Sequence, residues 1–186
     1  MIEISAEAVE RVEKLLAGVP KGAERALSNA LNRGLSKVKT GATKRVKEVY
    51  TVQAGALSAA TKIRVQNAST GNLVGQVSFS GVKIALYKFS VTPKVPGTGS
   101  RVFATVKRGE GGTFEEAFIA TMQSGHTGVF EREGPKRFPI EEKMGLSAAQ
   151  MVGNEKVIEA VEKEAQETVN ERIEHEIERL LSGYGG

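Results

Sequence analysis

A chain of 186 residues with 40% hydrophobic side chains is long enough to bury a core of its own. It has no cysteine and no aspartate, all 22 acidic residues being Glu, which removes disulfides, thiolate metal sites and Asp-based metal or phosphoryl-transfer centres. The net charge of +4 is unevenly spread: Arg25 to Arg108 holds fifteen Lys or Arg against one Glu, while Glu155 to Arg179 holds nine Glu against four Lys or Arg. A basic body and an acidic tail point to a polyanion nearby, to contacts between copies, or simply to a solvated surface.

In chain order, Ser5 is placed to cap a short helix without a full capping box, with Val9, Val12 and Leu16 on one face. After Gly18-Val-Pro20 a longer helix is predicted. Leu27, Leu31, Leu35, Val38, Ala42, Val46 and Val49 recur at three- and four-residue steps on one stripe, and Arg25, Arg33, Lys37, Lys44 and Lys47 lie on the opposite face. Gly34 and Gly41 are unfavourable inside a helix, so their small size is read as room for a neighbouring backbone. Residues 54–60 can form another short helix. Alternation then takes over: Thr61–Val65 and Leu73–Phe79 read as an antiparallel pair around the turn Asn67–Asn72. Ile84–Phe89 reads as a strand or one helical turn. Val91–Ser100 is expected to be a mobile loop and Arg101–Lys107 a strand, with Arg108-Gly-Glu-Gly-Gly112 as its connection.

Phe118–Met122, Gln123–Thr127 and Gly128–Phe130 then read as strand, polar turn and return strand of a tight hairpin, followed by an extended segment, Pro135–Met144, that its prolines assign to a sheet edge. Leu146–Val152 is a candidate short helix. Asn154 is expected to cap a last helix whose apolar stripe is Ile158, Val161, Ala165, Val169, Ile173, Ile177 and Leu180, with a frayed end at Gly183–Gly186. The outline is α+β: a long N-terminal helix, a small antiparallel, barrel-like β core with a distinctive hairpin, and a long amphipathic C-terminal helix. Its expected divisions are an N-terminal helical segment over 1–20, a core domain over 21–152 and the amphipathic helix over 153–186.

The chemical signals are sparse. Ser124 and His126 share the hairpin turn, but no Asp exists to orient the imidazole and no nucleophile elbow follows, so both are read as turn residues and no enzyme is expected. His175 lies among Glu174, Glu176 and Glu178 on a solvated or interfacial face. No cofactor and no metal site is expected. The basic face of the second helix suits sequence-blind contact with phosphates, without aromatic side chains to stack bases. No apolar run approaches the roughly 20 residues of a membrane helix, and the acidic N-terminus lacks the features of a secretory signal, so manufacture in the cytoplasm is expected.

Ala26-Leu-Ser-Asn-Ala-Leu-Asn-Arg33 with its basic helix, then Ala117–Met122, Ser124–Phe130 and Arg137-Phe-Pro-Ile-Glu-Glu142, resemble the phage minor tail protein Z family over roughly residues 24–152. Gln123 and Leu146 stand where that family commonly has proline. The resemblance implies a virion protein that completes a long phage tail at its head-proximal end, in the neck. It also implies a homo-oligomeric ring, a hexamer to match the tail, touching the tail terminator, the tail tube or the head–tail connector. Hairpin contacts would fall to Phe118, Met122, Ser124, His126, Phe130, Phe138 and Pro139.

Overall fold

The computed structural model describes residues 3–97, 99 and 101–184. Ser5 accepts a hydrogen bond from the Ala8 amide (3.2 Å) and so starts α1 (Ala6–Leu15), leaving Val12 and Leu16 buried. Then come α2 (Gly22–Val49), α3 (Ala54–Ala60), β1 (Thr61–Gln66), β2 (Gln76–Gly81) and β3 (Lys83–Ala85), followed by a single 3-10 turn at Leu86–Lys88. The predicted segment Ile84–Phe89 is thus strand first and helical turn second. Next are β4 (Ser90–Thr92), β5 (Val102–Lys107), β6 (Glu110–Phe114), β7 (Phe118–Thr121), β8 (Thr127–Arg132), β9 (Ile140–Glu142) and β10 (Met144–Ser147), and the chain ends in α4 (Ala148–Val152) and α5 (Glu155–Tyr184). Of the loop expected to be mobile, Val91 and Thr92 belong to β4, whereas Thr98 and Ser100 lie outside the described residues, as do Gly185 and Gly186 of the expected frayed end.

The fold is α+β, and its four sheets are small: β1 with β2, β3 with β10, β4-β5-β6 and β7-β8-β9. Among the described residues none of them closes, so the barrel-like character expected of the core is absent. Two further expectations change. Gly111 and Gly112 are not a connection but lie within β6, opposite Thr105 and Ala104 of β5, and the turn is confined to Arg108-Gly109. The Phe103 ring crosses over Gly111, where no side chain would fit. The strand expected from Leu73 starts only at Gln76, because the segment before it serves another purpose: Leu35 Cδ1 fills the space that a Gly75 side chain would need.

The chain gathers into two compact units. The helical unit takes Met1–Thr43, Ile63–Ser78 and Glu155–Gly186. Its core joins Val12, Leu16 and Val19 with Ala26, Leu27 and Ala30 of α2 and Val169, Ile173, Ile177 and Leu180 of α5. On α2 the buried line therefore runs through the small residues Ala26, Ala30 and Gly34 beside Leu27, while Leu31, Leu35 and Val38 are only half-buried. Gly34 does allow the close approach read from its size: a Cβ there would lie 2.5 Å from Val169 Cγ2. On α5 the stripe begins at Val157, fully buried, and not at Ile158, which is exposed. Its members then follow mostly four residues apart. Asn32 clamps the turn after β1, donating from Nδ2 to the Ala68 carbonyl (2.9 Å) and accepting from the Ala68 amide (2.8 Å).

The sheet unit takes Lys44–Lys62 and Phe79–Asn154. Leu86 of the 3-10 turn, Val91 of β4, Val102 and Ala104 of β5, Ala117 just before β7, Ile119 of β7 and Val129 of β8 form its core. Thr51 ties the end of α2 to β5, its hydroxyl donating to the Thr105 carbonyl, and Tyr50 forms a bridge to Lys107. Ser147 and Gln150 make a full capping box at α4. Asn154, expected to cap α5, does not use its side-chain oxygen for this: Asn154 Oδ1 is buried with no hydrogen-bond partner.

Candidate functional site

The predicted hairpin forms, with Phe118, Ile119, Ala120 and Thr121 opposite Phe130, Val129, Gly128 and Thr127, so that Thr127 belongs to the return strand and Met122 to the turn. The Met122 amide donates to the His126 carbonyl (2.8 Å) and the Gly125 amide to the Met122 carbonyl (2.9 Å). Gly125 has φ +82°, in the left-handed region that glycine enters without a Cβ penalty. Strand alternation sends Ile119 and Val129 into the core and leaves Phe118, Phe130 and Arg132 on the other face.

That outer face carries a continuous row of side chains. The Arg132 guanidinium sits 4.6 Å from the Phe118 ring centre, and Phe118 and Phe130 lie 6.3 Å apart. His126 meets Phe130 edge-on at 6.3 Å, and its Nε2 is 2.8 Å from Glu142 Oε1. Glu142 comes from β9, where it pairs with Phe130. Gly128 makes the row possible, since a Cβ there would stand 2.6 Å from Glu142 Oε1 and 2.9 Å from Phe130 Cζ. On the opposite face Glu131 and Glu141 lie side by side, and Lys143 Nζ reaches Glu131 at 2.7 Å. The hydrogen bond from Lys143 to Glu131 holds the ammonium above its ordinary pKa, against some loss of solvation.

The structure thus brings together Phe118, His126 and Phe130 of the hairpin residues singled out above. It places the others elsewhere. Met122 is half-buried at the turn and Ser124 is exposed, with no side-chain hydrogen bond among the described residues. Phe138 is 62% exposed, with the Arg137 guanidinium 5.6 Å from its ring centre, and is joined by a cis peptide bond to Pro139, whose carbonyl accepts from the Glu133 amide (3.3 Å). Glu142 is the carboxylate that the sequence lacked in Asp form, but it holds His126 in a row with Phe130 and the structure shows no bond from Ser124 to that imidazole. Among the described residues no three His or Glu side chains come together as a metal site.

The basic residues of α2 divide between the units. Arg25 is half-buried, and Arg33 and Lys37 are exposed in the helical unit; Lys44 and Lys47 are exposed in the sheet unit. Arg108 donates twice to the Lys47 carbonyl, at 3.2 and 3.1 Å. Arg33 and Lys37 line a groove whose other wall is α5, and that wall supplies Arg172, His175 and Arg179. In the sequence His175 reads only as part of a solvated or interfacial face, and Arg172 and Arg179 are overlooked because the surrounding Glu residues make the helix read as acidic, although all three share one side at steps of three and four.

At the base of the groove Glu176 is fully buried, with Arg172 Nη2 at 2.5 Å and Arg179 Nη2 at 2.6 Å, and Asn29 Nδ2 donating to it at 3.0 Å. Burial by itself would push the Glu176 carboxyl up. The hydrogen bonds from Asn29 and Arg179 and the charges of Arg172 and Arg179 together outweigh it and hold the group below its ordinary value. Among the described residues no helix is long and apolar enough to cross a membrane.

The chain is an α+β scaffold of small sheets and long helices whose polar side chains are tied into rows and clamps. The chain belongs to the prophage minor tail protein Z (GPZ) family, which it matches over residues 5–184, and is thereby a virion component of the phage tail type. The match takes in α1 and α5 as well as the 24–152 region that carries the sequence motifs. No curated protein matches the chain, and no solved structure does.

Proposed function

We propose that this chain completes a long phage tail at its head-proximal end, as a ring of identical subunits with six copies favoured, and joins the tail to the DNA-filled head. The family match over residues 5–184 carries the reading. Its partners would be the tail terminator, the tail tube or the head–tail connector, and its place the neck of the virion. Exposed apolar side chains suit such contacts: Val74 in the helical unit, and Val82 and Phe138 in the sheet unit. No enzymatic step is assigned to it. Localisation of the labelled chain in images of intact phage tests the reading, with signal at the neck expected and signal at the tail tip overturning it. Native mass spectrometry of the purified chain under assembly conditions tests the ring, which a stable monomer would contradict.

A second reading is favoured by the exposed cations Arg33, Lys37, Lys44 and Lys47, with Arg25 less accessible: sequence-independent contact with phage DNA. Steep loss of duplex binding with added salt is its signature.

A further inference from the structure

We infer that the groove between α2 and α5 is a binding site for phosphate oxyanions. Two adjoining hollows of about 570 and 540 Å³ share Arg33, Ser36 and Arg172, and together they place Arg33 and Lys37 on one wall and Arg172 and Arg179 on the other. Glu171 and Glu176 are the acidic residues of the lining, and Glu164 reaches Lys37 at 3.4 Å. Counting four cations against these three carboxylates leaves a formal charge of +1 in the groove.

The arrangement of these charges matters more than their sum. Glu176 has no exposure to water, so its charge serves inward to fix two guanidinium groups whose own side chains remain 37% and 46% exposed. One carboxylate cannot neutralise both. Arg172 and Arg179 are thus held in place with donors left over, and fixed side chains lose less freedom when a ligand arrives. Arg33 faces them with no ion pair or side-chain hydrogen bond among the described residues. Three guanidinium forks suit the oxygens of a phosphate better than a single carboxylate. From Arg172 to Arg179 the helix rises about 10 Å, which spans roughly three phosphates of one DNA strand.

The phosphates can come from a nucleic acid backbone or from free inorganic phosphate. In its nucleic acid form the inference rests on the second reading above. The test uses the full chain and two ligands: a short labelled DNA duplex of mixed sequence, followed by fluorescence anisotropy, and inorganic phosphate, followed by NMR shifts of the arginine side chains. The groove variant is Arg33→Gln with Lys37→Gln, which leaves the Glu176 cluster intact. The control variant is Lys62→Gln with Arg64→Gln on β1, and Lys44→Gln with Lys47→Gln on α2 is the comparison for the other cations of the second reading, each removing the same charge.

The expected result is a loss of about tenfold or more in duplex affinity for the groove variant, larger than that of Lys44→Gln with Lys47→Gln and absent from the β1 control, with the salt slope falling by about 2. Phosphate should shift Arg33 and Arg172. Phosphate shifts without duplex binding would support the groove while defeating the nucleic acid reading. Duplex binding weakened only by Lys44→Gln with Lys47→Gln would keep that reading and overturn the groove. Equal losses in all three variants, no response to either ligand, or a Glu-rich peptide binding as tightly as the duplex would each overturn it too.

Discussion

Gly34 of α2 faces Val169 of α5 so closely that a Cβ on Gly34 would lie 2.5 Å from Val169 Cγ2. At Gly41, further along the same helix, a Cβ would meet only Glu164 Oε2 at 3.7 Å, an ordinary contact. The two glycines therefore answer in opposite directions to the same change. Gly34→Ala gains helix propensity but overpacks a fully buried seam, where such insertions cost about 1–3 kcal/mol, so a net loss of stability is expected. Gly41→Ala keeps the propensity gain of up to about 1 kcal/mol and should raise stability. Urea unfolding of both variants checks the pair, and a stabilising Gly34→Ala would refute the close seam.

Glu176 makes stability depend on pH on the acid side. Its folded carboxyl lies below the ordinary 4.5, so the unfolded chain binds the proton first as pH falls. The resulting stabilisation is complete above that value and disappears as pH drops through the lower, folded one. Glu176→Gln should lower stability at pH 7 and flatten the acid limb below about pH 4.5 relative to the unaltered chain. Unfolding midpoints measured between pH 7 and pH 3 decide it; parallel curves would show that Glu176 is not coupled to folding.

In the hairpin, Gly128→Ala would push a methyl group into Glu142 Oε1 and the Phe130 ring. A cost of about 1–3 kcal/mol is expected, together with loss of the His126–Glu142 contact. The His126 ring protons, shifted by the edge-on Phe130, should move toward random-coil positions in the NMR spectrum. Unchanged shifts in a folded variant would contradict the row.

Ser147→Ala removes the hydroxyl half of the capping box at α4, in which Ser147 Oγ accepts from the Gln150 amide at 3.3 Å, and leaves the other half, in which the Ser147 amide donates to Gln150 Oε1 at 3.0 Å. The loss should be about 1 kcal/mol. Ser147→Thr, which keeps the hydroxyl, should recover most of it; thermal unfolding of the two variants separates capping from packing.

Much of the fold is legible in the chain because local chemistry and tertiary structure agree. Ser5, the alternation of Phe118 to Met122 and the glycine at 125 each specify their conformation within a few residues. What is illegible depends on partners far away in sequence. Glu142 approaches His126 only because β9 pairs with β8, and nothing near His126 announces it. Arg172 and Arg179 read as part of an acidic helix until α2 is placed beside them with Glu176 at their base. Gly111-Gly112 read as a loop because the reason for a glycine at 111, the Phe103 ring on β5, lies on the neighbouring strand. The same limit moved the start of the α5 stripe from Ile158 to Val157, since a four-residue step winds slowly around a helix with 3.6 residues per turn.

The interleaving of the two compact units gives synthesis on the ribosome a fixed order. Every residue of the sheet unit has been made by Asn154, so it can condense while the final helix is still inside the exit tunnel. The helical unit must wait, because Val169, Ile173, Ile177 and Leu180 provide the far side of its core. Its first helices are made well before α5 and are buried last, which leaves Val12, Leu16 and Leu27 without their α5 partners until that helix has been made. A nascent chain stalled after Asn154 thus holds every residue of the sheet unit and lacks the α5 side chains that complete the core around Val12, Leu16 and Leu27.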